Sequence, residues 1–205
     1  MSARPANLER IEARQTPAGN RQLNAPPRAR LQARLFEPGL ARCILSSYAL
    51  LWAGTILFAL IAVPFAGPLH EVFGLSGGLA APGTTSMAAL TLTNNAREAA
   101  IPFLFALLRV GARRWPIVLG NVVIAACFTA DVALGGLALG TDGMRALPYL
   151  PQWPLEWAGL ALALAAWRRA RTGRRDPLEL TLLAIATAIL LCVAALLETY
   201  AVPQS

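Results

Sequence analysis

From Cys43 to Ala66 the chain runs for more than twenty residues without a charged side chain. At 1.5 Å per helical residue, such a run covers the roughly 30 Å hydrocarbon core of a bilayer. That length commits the chain to a helix, because a span in lipid must satisfy its own backbone hydrogen bonds. The composition agrees, with 56% hydrophobic and 14% charged residues, more apolar and less charged than a soluble domain. All 18 basic residues are arginine, and they gather between the apolar runs, so the formal charge of +7 points to a membrane and not to nucleic acid.

Residues 1–42 hold eight arginines and several prolines but no apolar core of signal-peptide length, which reads as an Arg/Pro-rich cytoplasmic tail ahead of a transmembrane helical domain over 43–205. Within the tail, Arg28 to Phe36 suits either a short helix lying on anionic lipid or a solvated arm. Four more spans follow Cys43–Ala66. The second starts between Ser86 and Glu98 and ends near Val110; the longer form, from Ser86, is preferred because a start at Glu98 leaves too few residues to cross. The third covers Pro116 to Leu139, the fourth Pro154 to about Trp167, and the fifth Leu178 to Leu197. The arginine clusters of the tail, of Arg109 to Arg114 and of Arg168 to Arg175 then share one side. By the positive-inside rule the fold is an all-α, polytopic transmembrane bundle of about five spans, with the N-terminus cytoplasmic and the C-terminus outside. Trp153 and Trp157 are expected in the interfacial aromatic belt. Gly136 and Gly140 form a GxxxG, which is either a helix-packing motif or a chance match in a Gly- and Ala-rich segment.

Polar residues inside these spans are costly, at about 2.5 to 3.5 kcal/mol for an Arg or Asp at the bilayer centre. Asn94, Asn95, Arg97 and Glu98 interrupt the second span and fall within an arc of about 160° at 100° per residue. Asn121 and Asp131 lie in the third span, Gln152 and Glu156 at the start of the fourth, and Glu198 at the end of the fifth. These nine residues form the candidate polar cluster. In one reading it is the wet end of the spans or a pairing that holds the bundle together; in the other it is a site for a peptide or partner. Arg97 is the expected counter-ion of these acids, and Asp131 its expected partner. Glu156 gains from the dipole at a helix N-terminus, whereas Glu198 near a C-terminus does not.

Other chemistry finds little support. Cys43, Cys127 and Cys192 are too widely spaced for a metal site and are expected as small core residues. A single histidine excludes a multi-histidine metal centre, and His70-Glu71 departs from HExxH at Gly74. An intramembrane peptide-processing enzyme would need His70 and a serine such as Ser76 brought together without a supporting motif. No catalytic residue, metal or other cofactor is therefore assigned.

Asn94-Asn95, Gly120-Asn121, Pro151-Gln152-Trp153-Pro154-Leu155-Glu156 and Leu197-Glu198-Thr199-Tyr200, in that order before Pro203, resemble the stage II sporulation protein M-like family. The resemblance covers Leu45 to Pro203. Its Pro-His-Gly-x-x-Glu motif has Gln152 and Trp153 in place of histidine and glycine here, while Glu156 matches. The resemblance implies a multi-pass protein of a bacterial cell membrane that works with other membrane proteins, such as an ABC-type transporter or a peptide-processing enzyme. One branch of the family scaffolds peptidoglycan-remodelling enzymes. Another serves maturation, export or immunity of circular bacteriocins. The lysine-free composition suggests a high-GC genome, which favours the second branch, with a secreted peptide as substrate.

Overall fold

A computed structural model describes residues 37–68, 85–108, 115–143, 151–173 and 176–200. Expectations placed on the tail, on the loop with His70 and Ser76, and on Arg109 to Arg114 lie outside these residues. The chain divides into Met1–Glu37 and Pro38–Ser205, and the second unit carries the helices. We label them α1 (Pro38–Ala62), α2 (Thr85–Leu108), α3 (Trp115–Asp142), α4 (Trp153–Arg171) and α5 (Pro177–Tyr200). A short 3-10 turn, Val63–Phe65, continues α1 at Pro64. No strand occurs among the described residues.

Local sequence sets the ends. Proline opens α1 and α5, where its missing N–H is not needed. The α5 start is also capped by Asp176, whose Oδ1 accepts the Leu178 N–H at 3.1 Å. Gly173, at φ +91°, stops α4, and the Thr172 and Gly173 N–H groups close back on Arg169 and Ala170 carbonyls. The fourth helix therefore runs past Trp167 to Arg171. Arginine is a good helix former, and three arginines in the last turn complement the dipole. The second helix begins at Thr85, in keeping with the longer of its two expected starts.

Residue contacts fix the directions. Gly54 meets Val132, Gly136 meets Thr55 and Phe58, and Gly140 meets Ala59 and Ala62, so α1 and α3 run parallel. Asn95 meets Glu156 and Phe105 meets Trp167, so α2 and α4 run together as well. Gly159 packs on Thr187 and Leu191 while Arg169 meets Glu179, which makes α5 antiparallel to α4. Thus α1, α3 and α5 point one way and α2 and α4 the other. Of the described arginines, Arg42, Arg168, Arg169 and Arg171 gather at the end where α1, α3 and α5 begin, and Arg97 lies apart from them on α2.

The Ala-rich α4 lies at the centre, between α1, α2 and α5, with buried residues on every side of it. Alanine and glycine let neighbours come close, the usual basis of helix association where lipid removes the hydrophobic drive. The GxxxG is used in this way: a Cβ at Gly136 would lie 2.6 Å from the Thr55 carbonyl, and one at Gly140 2.5 Å from the Ala59 carbonyl. Three helical segments, Pro38–Pro68, Trp115–Thr141 and Pro177–Tyr200, are long and apolar enough to cross a membrane. Their outward faces expose Leu50, Leu60, Val122, Leu134 and Ile189 by more than half. An apolar surface of that kind is foreign to soluble proteins and ordinary in lipid.

Two expectations are corrected here. Trp157, expected in an interfacial belt, is instead buried and packs edge to face with Trp153, which is partly buried over Gly135. Glycine on α3 leaves the space that an indole fills. Among the cysteines, all free, Cys192 is exposed on the outer side of α5 and is not a core residue.

Candidate functional site

The inward stripe of α2 consists of Ala99, Pro102 and Ala106, all buried. Small residues there bring α2 against α4, and their phase decides which polar neighbours turn inward. Asn95 and Glu98 lie on or beside the stripe and are half-buried. Arg97, about 180° from it, is exposed, and so is Asn94. The polar arc of α2 is therefore split by the packing, since about 160° is wider than the surface α2 can bury.

Asn95 Nδ2 donates to Glu156 Oε1 at 2.7 Å, joining α2 to the first turn of α4. Glu98 faces Asp131 of α3 with the two carboxyls in hydrogen-bonding reach. Thr91, one turn before Asn95, lies within hydrogen-bonding reach of the Glu198 carboxyl at the end of α5. Glu156 lies within electrostatic range of both Glu98 and Glu198. Four helices thus each bring one carboxyl to the end of the bundle away from Arg168 to Arg171. Gln152 is buried in the turn that opens α4, and its carbonyl accepts the Leu155 and Glu156 N–H groups.

The expected Arg97–Asp131 pair does not form. Asp131 has Glu98 opposite it, and Arg97 points away from the bundle interior because the Ala99–Pro102–Ala106 stripe turns it outward. Asn121 is also apart from the others. It sits near the opposite end of α3, where its Oδ1 accepts from Trp167 Nε1 at 3.0 Å and Arg171 Nη1 at 3.3 Å. The structure therefore brings together Asn95, Glu98, Asp131, Glu156 and Glu198, with Gln152 beside Glu156, and leaves Asn94, Arg97 and Asn121 outside the group. Thr91 is the member whose role the sequence leaves unread, although its spacing of four from Asn95 puts it on the same face.

Hydrogen-bond capacity defines what this end of the bundle can do. Ionised carboxylates only accept; the neutral Asn95 amide donates to Glu156, the Thr91 hydroxyl is within reach of Glu198, and Arg97 acts on Glu98 by charge alone. Asp131 Oδ2 is buried with no partner among the described residues. Trp157 Nε1 is a buried donor in the same condition. Among the described residues no group of three or more His, Cys, Asp or Glu is arranged to hold a metal ion. The arrangement suits a proton or the N–H donors of an organic cation.

No family model matches the chain, and neither a curated protein nor a solved structure is significantly similar to it. The class rests on the molecule itself: the described residues are helical apart from turns, include three helices long and apolar enough to cross a membrane, and form a carboxyl-rich polar end.

Proposed function

We propose that the protein is a five-span bacterial membrane protein, cytoplasmic at its N-terminus, and the partner subunit of a system that matures, exports or confers immunity to a secreted peptide. In this reading α2 and α4 also cross the bilayer, α4 shielded from lipid by its neighbours. The four-carboxyl end then faces outward and receives cationic groups of the peptide. The observation that carries the reading is the excess of acceptors over donors where α2, α3, α4 and α5 meet. A scaffold for cell-envelope enzymes is the alternative, and it needs no such excess.

The test uses the full chain in nanodiscs and a fluorescent amphipathic peptide in cationic and acidic versions. The cationic version should bind, and Glu98→Gln with Glu156→Gln should weaken it about tenfold, the scale of a lost charged hydrogen bond. Equal binding of both versions would count against the reading. Proteins that co-purify after mild detergent extraction separate the two roles: a peptide transporter or processing enzyme supports the first, a peptidoglycan enzyme the second. Orientation is checked by single cysteines in a background lacking the three native ones. Probes at Ser76 and Ser205 should be labelled from outside intact cells and one at Thr172 should not.

A further inference from the structure

The GxxxG contacts, with Gly54 against Val132, hold α1 and α3 together at one end, and toward the other the two helices line a groove of about 610 Å³ that is backed by Leu164 and Trp167 of α4. Its two ends differ in chemistry. The walls are apolar, with Leu50 and Phe58 on α1 and Phe128 and Val132 on α3, whereas the mouth carries Ser46, Asn121, Arg168 and Arg171. From Ser46 to Phe58, or from Asn121 to Val132, the groove runs about 17 Å along the helices. That is close to the roughly 15 Å of hydrocarbon in one leaflet.

The two mouth arginines have neutral partners. Arg168 Nη1 donates to Ser46 Oγ at 2.6 Å, Ser47 Oγ at 3.2 Å and the Cys43 carbonyl at 3.3 Å, and Arg171 donates to Asn121 Oδ1. Arg169, between them in sequence, instead turns away to pair with Glu179. The mouth thus holds two guanidinium charges without a carboxylate facing them in these bonds, above an apolar slot one leaflet deep.

We infer that this groove is a binding site for an anionic phospholipid, its phosphate held by Arg168 and Arg171 and one acyl chain lying between α1 and α3. Charge complementarity selects the headgroup, and the slot's depth selects a chain and not a free anion. The arginine mouth lies at the opposite end of the bundle from the carboxyl group, and the closed tip of the groove reaches Val132, next to Asp131.

The test is native mass spectrometry of the full chain, delipidated in detergent and offered equimolar dioleoyl phosphatidylglycerol and dioleoyl phosphatidylcholine. Phosphatidylglycerol should be retained about tenfold over phosphatidylcholine, and Arg171→Gln should cut that preference about fivefold, the weight of one basic residue at an anionic surface. Arg171 is exposed and makes one long hydrogen bond, so the variant should fold. Ala125→Trp, at an exposed position lining the groove, should displace the lipid while leaving both arginines in place. Equal retention of the two lipids, or a preference that survives both variants, would overturn the inference. So would a dimer that Ala125→Trp converts to a monomer, since the occupant would then be a second copy.

Discussion

Asn95 of α2 and Glu156 of α4 are joined by a 2.7 Å hydrogen bond between helices that run in the same direction. Parallel neighbours cannot be adjacent in a simple up-and-down hairpin, so this bond reports the bundle's long-range order. Its loss should be measurable. In a double-mutant cycle of Asn95→Ala and Glu156→Ala, followed by unfolding in detergent, the coupling should be about 1 kcal/mol, within the range found for interhelical hydrogen bonds in membranes. Additive losses would mean that the contact is not used.

Arg97 and Asp131 give a sharper contrast. Arg97 is exposed, so Arg97→Ala should change stability by less than about 0.5 kcal/mol. Asp131→Ala should cost more, because it leaves Glu98 half-buried without the group it faces. A carboxyl-to-carboxyl hydrogen bond needs one proton between the pair, and an amide N–H can stand in for it. Glu98→Gln should therefore be tolerated better than Glu98→Ala. Equal losses for Arg97→Ala and Asp131→Ala would restore an ion pair between them.

The glycines of α3 make a third prediction. Gly136→Ala and Gly140→Ala each push a methyl into the α1 backbone and should cost about 1 to 3 kcal/mol, the usual range for overpacking. Gly67 has open space around the position of a Cβ, so Gly67→Ala is the control and should be near neutral. Thermal unfolding in one detergent compares all three. If Gly136→Ala were as mild as the control, the close approach of α1 and α3 would be wrong.

What was legible in the sequence follows from what each signal measures. Uninterrupted apolar runs measure length, and they place α1, α3 and α5 to within a few residues. Rotation about the helix axis is harder to read. In a soluble helix the polar side faces water, whereas α2 has polar residues over about 160° and neighbours on only part of that arc. The signal that settles its rotation is the small-residue stripe Ala99, Pro102 and Ala106, which hydropathy alone does not rank. The same holds for Trp153: an indole near a span's end fits the membrane interface or a glycine-lined gap equally well, and Gly135 belongs to another helix. The GxxxG was visible as a pattern, but its partner α1 was not, because the motif specifies closeness and not a neighbour.

The last prediction concerns the other end of the bundle. Arg169 and Glu179 form an ion pair whose side chains are only 8% and 10% exposed, with Arg169 Nη2 donating to Glu179 Oε2 at 2.9 Å. The pair spans the turn from α4 to α5, so each partner fixes where the other's helix ends. A buried pair is costly to desolvate, and its replacement as a whole by apolar residues is often close to neutral. Removing one partner is different, since it strands a charge in a site built to exclude water. Arg169→Leu or Glu179→Leu alone should therefore each cost about 3 to 5 kcal/mol, and the double variant should recover most of that loss. The readout is unfolding in detergent at matched lipid content. Recovery in the double variant would show that the pair sets the register of α4 and α5 without adding much net stability. A double variant as unstable as the sum of the singles would show that each residue acts through other contacts, and the pair would lose its role in holding the turn.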